Sequence, residues 1–128
     1  MGPMLDHLSI GVADLDASRR FYDRTLKPLG YKRVMNFKDE ASGYGIGPQA
    51  PQFWLNLTKR SKASPGSHIA FSAGDRKSVR AFHRAALKAG GRDNGKPGLR
   101  PEYHPTYYGA FIIDLDGHRI EAVCHFPE

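Results

Sequence analysis

A chain of 128 residues with 40% hydrophobic and 25% charged side chains has room for one domain with its own core, which excludes a disordered or fibrous protein. The formal charge of +6 is dispersed, with basic pairs such as Lys32-Arg33 and Lys59-Arg60 but no longer run. It therefore reads as a solvated surface that attracts small anions, with no nucleic-acid interface. The single Cys124 excludes an intrachain disulfide and fits a reducing cytoplasm. No apolar run reaches the roughly 18 residues of a membrane span, and no signal peptide is visible.

Met1-Gly2-Pro3, ahead of Met4, are set aside from the fold reading. Leu5 to Val12 alternates, with Leu8, Ile10 and Val12 on one side and His7, Ser9 and Gly11 on the other, as in a half-buried strand. Asp14 then has the chemistry of an N-cap, and Leu15, Ser18, Tyr22, Leu26 and Leu29 follow at helical spacing until Pro28-Leu29-Gly30 closes the helix. Three strands are expected near Lys32–Phe37, Ser42–Ile46 and Gln52–Thr58, with a turn at Gly47-Pro48-Gln49-Ala50-Pro51. Lys59 to Gly66 is a polar linker. A second strand carries His68, Ala70 and Ser72 on one side, and Asp75 caps a second helix bearing Val79, Phe82, His83, Ala86 and Leu87. Gly95 to Thr106, with its three prolines and two glycines, reads as a long loop. Strands at Tyr107–Leu115 and Arg119–His125 flank a hairpin turn at Asp116-Gly117.

The second half repeats the first. Shifted by 61 positions, His7 falls on His68, Asp14 on Asp75, Arg19 on Arg80, Phe21 on Phe82, Leu26 on Leu87 and Gly30 on Gly91, with no gap over 25 positions. A constant offset marks a duplicated supersecondary unit. The expected fold is α+β, one domain over residues 4–128. Two βαβββ modules (4–60 and 65–126) form a curved, mostly antiparallel sheet around a shared cleft.

Alternation sends His7 and His68 to the side away from the helices, and Glu121 points the same way from the apolar strand Ile120-Glu121-Ala122-Val123. A lone carboxylate there carries a desolvation cost of several kcal/mol unless it is paired or metal-bound. Two histidines and a carboxylate hold one face of a divalent transition ion, and iron, manganese, nickel, cobalt and zinc all accept such a set.

The stretches Asp6-His7-Leu8-Ser9-Ile10-Gly11-Val12, Ser67-His68-Ile69-Ala70-Phe71 and Asp114-Leu115-Asp116-Gly117-His118-Arg119-Ile120-Glu121 together resemble the vicinal oxygen chelate superfamily. That group includes glyoxalase I, bleomycin-resistance proteins, fosfomycin-resistance enzymes and extradiol dioxygenases. The resemblance implies paired βαβββ modules, a homodimer and a metal at His7, His68 and Glu121 that chelates adjacent oxygens of a small-molecule substrate. Glyoxalase I has a second glutamate where Asn56 falls under the repeat, so the resemblance does not extend to that activity. Modules in this group pair within or between chains, and the sequence leaves this open.

Acid–base candidates come from the loop before the penultimate strand, where His104 can act as a general acid or base and Tyr107 can donate to a substrate oxygen. Tyr108, Trp54, Asn56 and Phe37 complete the expected pocket. His83 reads as a helix-surface residue, His118 as a turn residue and Cys124 as packing. The functional expectation is a metal-dependent lyase, isomerase or dioxygenase; the alternative is a protein that sequesters a ligand without chemistry.

Overall fold

The computed structural model describes residues 4–48 and 50–128; Met1-Gly2-Pro3 and Gln49 of the expected turn lie outside the described residues. The first module runs β1 (Leu8–Val12), α1 (Leu15–Leu26) with a further 3-10 turn at Lys27–Leu29, β2 (Lys32–Phe37), β3 (Ala41–Gly45) and β4 (Phe53–Leu57). The second runs β5 (His68–Ser72), α2 (Arg76–Lys88), β6 (Arg92–Leu99), β7 (Tyr108–Ile113) and β8 (Arg119–Cys124). Each forms a four-stranded mixed sheet, in the orders β1-β4-β3-β2 and β5-β8-β7-β6. Each sheet has one parallel pair, β1 with β4 and β5 with β8. The fold is α+β with two like modules, as the repeat predicts.

The repeat is visible in the local chemistry. Both helices start from an aspartate in extended conformation whose carboxylate accepts a backbone N–H three residues on: Asp14 from Ala17 at 3.0 Å, Asp75 from Ser78 at 2.7 Å. Gly30 closes the first helical segment in the left-handed region, φ 88°, where a side chain would be strained. The repeat partners Phe21 and Phe82 are both buried. They join Tyr22, Leu26, Phe53, Leu55, Val79, Ile112 and Ile120 in one core beneath both helices.

Residues 95–99 depart from the expected loop: they belong to β6. Two register shifts against β7 absorb the glycines and Pro97, and β6 is the edge strand of its sheet, where a missing N–H costs no ladder bond.

The modules are tied by the β7–β8 turn. Buried Asp114 accepts the Tyr22 hydroxyl at 2.5 Å through Oδ2, and the Asp116 and His118 amides at 2.9 and 2.8 Å through Oδ1. Asp116 accepts the Ala13 amide at 2.9 Å and the Ser18 hydroxyl at 3.4 Å, and His118 Nε2 donates to the Gly11 carbonyl at 2.7 Å. A turn of the second module thus grips the β1–α1 corner of the first. Burial pushes the Asp114 carboxyl up and the Tyr22 phenol well above its usual range, so the hydroxyl stays the donor.

Asp114→Ala strands the Tyr22 hydroxyl and two turn amides, each at a cost of about 1–3 kcal/mol where buried. The expected outcome is a loss of at least ~2 kcal/mol in urea unfolding, with a smaller loss in Tyr22→Phe. An unchanged midpoint in Asp114→Ala would mean that other contacts hold the modules together.

Candidate functional site

Strand β8 divides its side chains between two environments. Ile120, Ala122 and Cys124 are buried in the core, while Arg119, Glu121 and Val123 face the other side of the sheet. The parallel neighbour β5 sets His68 opposite Arg119 and Ala70 opposite Glu121. His68 Nε2 lies 2.9 Å from Glu121 Oε1, and the Tyr107 hydroxyl donates to Oε2 at 2.6 Å. Glu121 is only 1% exposed, yet both its oxygens are engaged, which is what a carboxylate in that position requires. Burial, and then the bond to Glu121, pushes the Tyr107 phenol above its usual range, so it remains a proton donor at neutral pH. Around this trio lies a cleft of ≈ 450 Å³ whose wall includes Asn94, Tyr103, Phe111 and Arg119.

His7 is elsewhere. It lines a second cleft with Tyr31, Tyr44, Gln52 and Phe71, and its Nδ1 sits 2.6 Å from the exposed Asp6 carboxylate. That contact leaves Nε2 as the free ring nitrogen, the arrangement common in metal-ligating histidines. Among the described residues no three His, Cys, Asp or Glu side chains cluster into a metal shell. The structure thus brings His68 and Glu121 together and leaves His7 apart from them within a chain. An imidazole nitrogen and a buried, anchored carboxylate oxygen fit two positions of a divalent transition-metal shell, and any third protein donor would come from outside the pair.

The register also revises the correspondence between modules. Ser9, the repeat partner of Ala70, pairs with Trp54, while Ala70 pairs with Glu121. The counterpart of Glu121 is therefore Trp54; Asn56 matches Val123. A shift of two residues keeps the same face, so side-chain alternation alone did not reveal it. Trp54 carries no carboxylate either, and no second acid comes from this position. Its ring lies against Gly43, where a Cβ would stand 3.0 Å from ring atoms. Ladder neighbours share a face. Trp54 therefore belongs with Ser9, Gly43 and Met35, and Asn56 with Gly11, Ala41 and Phe37, on the side of the first sheet away from the core. None of Trp54, Asn56 or Phe37 lines the cleft of His68 and Glu121.

Of the loop candidates, Tyr107 reaches the trio, but its proton is committed to Glu121. His104 does not line the cleft: it is exposed, its Nδ1 accepts from the Thr106 amide at 3.3 Å, and its ring meets His125 edge-on with centroids 5.3 Å apart. Tyr108 alternates to the opposite side, under the guanidinium groups of Arg76 and Arg80 at 5.1 and 6.0 Å. His83 is buried against Asp93 at 2.9 Å rather than on the helix surface. Cys124 is buried, as expected of packing. Sequence reasoning missed Asn94, Tyr103, Phe111 and Arg119. Arg119 alone carried a signal, standing two residues before Glu121 on the same strand face.

The family profile of the Glyoxalase/Bleomycin resistance protein/Dioxygenase superfamily matches residues 4–122. The chain belongs to this superfamily. The fold is shared with a glyoxalase/bleomycin resistance protein from Albidiferax ferrireducens T118, at 29% identity and a TM-score of 0.85, covering 95% of this chain and 99% of that one. A glyoxalase-related enzyme from Fulvimarina pelagi superposes with a TM-score of 0.72 at 18% identity, covering 97% and 88%. Fosfomycin resistance protein FosX from Listeria monocytogenes does so with a TM-score of 0.71 at 15% identity, covering 98% and 96%. No curated protein sequence matches the chain. The superfamily has enzyme members, and its members typically use a divalent metal. No helix among the described residues is long and apolar enough to cross a membrane.

Tyr107, with its raised pKa, contributes stability that is complete below its unfolded value of about 10 and is lost as the pH rises beyond it. The stability difference between the parent and Tyr107→Phe should therefore be constant through neutral pH and shrink above pH ~10. Urea unfolding across alkaline pH checks this; a difference that grows there would mean the phenol does not donate to Glu121.

Proposed function

We propose that this protein is a metal-dependent enzyme of the glyoxalase/dioxygenase type acting on a small oxygen-rich substrate, and that two copies of the chain assemble each metal centre. His68 and Glu121 come from one copy and His7 from the other. The observation that carries this reading is the split donor set. His68 and Glu121 form a preorganised pair at 2.9 Å, while His7, their partner by the internal repeat, lines a different cleft of the same chain. A homodimer supplies the missing donor to both sites at once, because an isologous contact is reciprocal.

A divalent ion bound there supplies Lewis-acid stabilisation of charge on adjacent substrate oxygens. The chain's own residues do the rest. Tyr107 fixes the Glu121 carboxylate by holding Oε2, leaving Oε1 directed at the His68 position. Asp6 orients the His7 ring and keeps Nε2 available. Trp54, on the open face of the first module, provides an apolar wall where glyoxalase I would carry a second carboxylate, so a different reaction of the superfamily is expected. Iron, manganese, nickel, cobalt and zinc all suit two imidazoles and a carboxylate. The unpaired Cys124 suits a cytoplasmic location.

Elemental analysis of untagged protein should find about one transition metal per chain, lost in His7→Ala, His68→Ala and Glu121→Gln. Mixing His7→Ala with Glu121→Gln chains separates the two arrangements. A heterodimer regains one intact centre of two, so random mixing restores about a quarter of the parent metal, whereas centres built within one chain restore none. A parent that takes up no metal from iron, manganese, nickel or zinc would leave the ligand-sequestering alternative.

A further inference from the structure

We propose that the substrate of this cleft is a small oxyanion, a carboxylate or phosphonate, recognised by Arg100 and Arg119 beside Glu121. This rests on the reading of the His68–Glu121 cleft as the substrate site and adds the chemical class it takes. Arg119 lies along β8 from Glu121 and opposite His68 on β5, so its side chain shares their face and lines the cleft. Arg100 reaches the same face from the end of β6. Its guanidinium lies 5.2 Å over the ring of Phe111, which is the ladder neighbour of Glu121 on β7 and a wall of the cleft.

Both guanidinium groups are held in place without being neutralised. Arg100 Nη2 donates to the Lys96 carbonyl at 2.7 Å and Nη1 to the Leu99 carbonyl at 3.4 Å, while Arg119 Nη1 donates to the Pro65 carbonyl. Among the described residues neither meets a carboxylate, whereas Arg19, Arg33 and Arg76 each do. Among the described residues the only acid lining the cleft is Glu121, and its two oxygens are taken by His68 and Tyr107. Each guanidinium carries five N–H donors in a planar fork, so donors remain on both for an oxyanion, to which they bind more strongly than to a neutral acceptor.

The seat of Arg100 is built into the sequence. A Cβ at Gly98 would stand 3.1 Å from Nη1, and one at Gly95 would stand 3.3 Å from Nη2 and 2.8 Å from the Phe111 ring. Side chains at these two positions would displace the guanidinium from the ring. The glycines that made this stretch look like a loop clear the space Arg100 occupies.

The test is calorimetric titration of the purified protein with methylphosphonate, acetate and neutral acetamide, in parallel with metal analysis. Binding of the two anions and not of acetamide is expected. Arg100→Gln and Arg119→Gln should each weaken anion binding about tenfold with metal content unchanged. Gly98→Ala should weaken it with no change of charge, and Arg84→Gln, on the exposed face of α2, should leave it within about twofold. The inference is overturned if the parent binds neither anion, if Arg100→Gln and Arg119→Gln bind as the parent does, or if Arg84→Gln weakens binding equally. Should the parent lack metal yet bind anions through both arginines, the enzyme reading falls and the anion site stands.

Discussion

The buried carboxylate of Glu121 constrains everything around it. At 1% exposure it cannot rely on water, so each oxygen must have a protein or metal partner. The hydroxyl of Tyr107 and the ring of His68 fill these roles, and both depend on strand register. A slip of one residue in β8 would turn Glu121 into the core and Ile120 out of it. The core contacts of Ile120 and Ala122 therefore hold the site in place as much as the polar contacts do, since they forbid that slip.

The β7–β8 turn extends the same constraint to the other module. Through Asp114, Asp116 and His118 it grips Tyr22, Ser18 and the backbone of Gly11 and Ala13. With both helices over one core, and that turn fixed to the β1–α1 corner, the chain holds its two modules by their helix sides. The opposite sheet faces, carrying His68 and Glu121 on one and Trp54 and Asn56 on the other, are left unshared within the chain.

Most of this architecture was legible because duplication and alternation are local signals. The offset of 61 places both helix caps, both buried phenylalanines and both histidines, and period two assigns Glu121 and His68 to one face. What was not legible depends on pairing between distant strands. The loops of the two modules differ in length, so a sequence offset cannot say whether Trp54 or Asn56 is the counterpart of Glu121 in the first module; the hydrogen-bonded register does. Residues 95–99 looked like a loop because glycine and proline disfavour strands, whereas an edge strand with bulges tolerates both. His83 was misplaced for a similar reason, since its partner Asp93 lies on a strand that the composition of its neighbours concealed.

The two modules have diverged at the position that matters most for charge. Where the second carries Glu121, the first carries Trp54 lying over Gly43. A second carboxylate at that position would carry its own desolvation cost and, in the two-copy centre proposed above, would offset the charge of Arg100 or Arg119. A tryptophan does neither, and adds an apolar surface. The duplication thus ends in a division of labour. One face carries the carboxylate, the phenol and the cations, the other an imidazole and an aromatic side chain. In the proposed centre that asymmetry keeps the cleft net positive, and a positively charged cleft favours an anion before any chemistry begins.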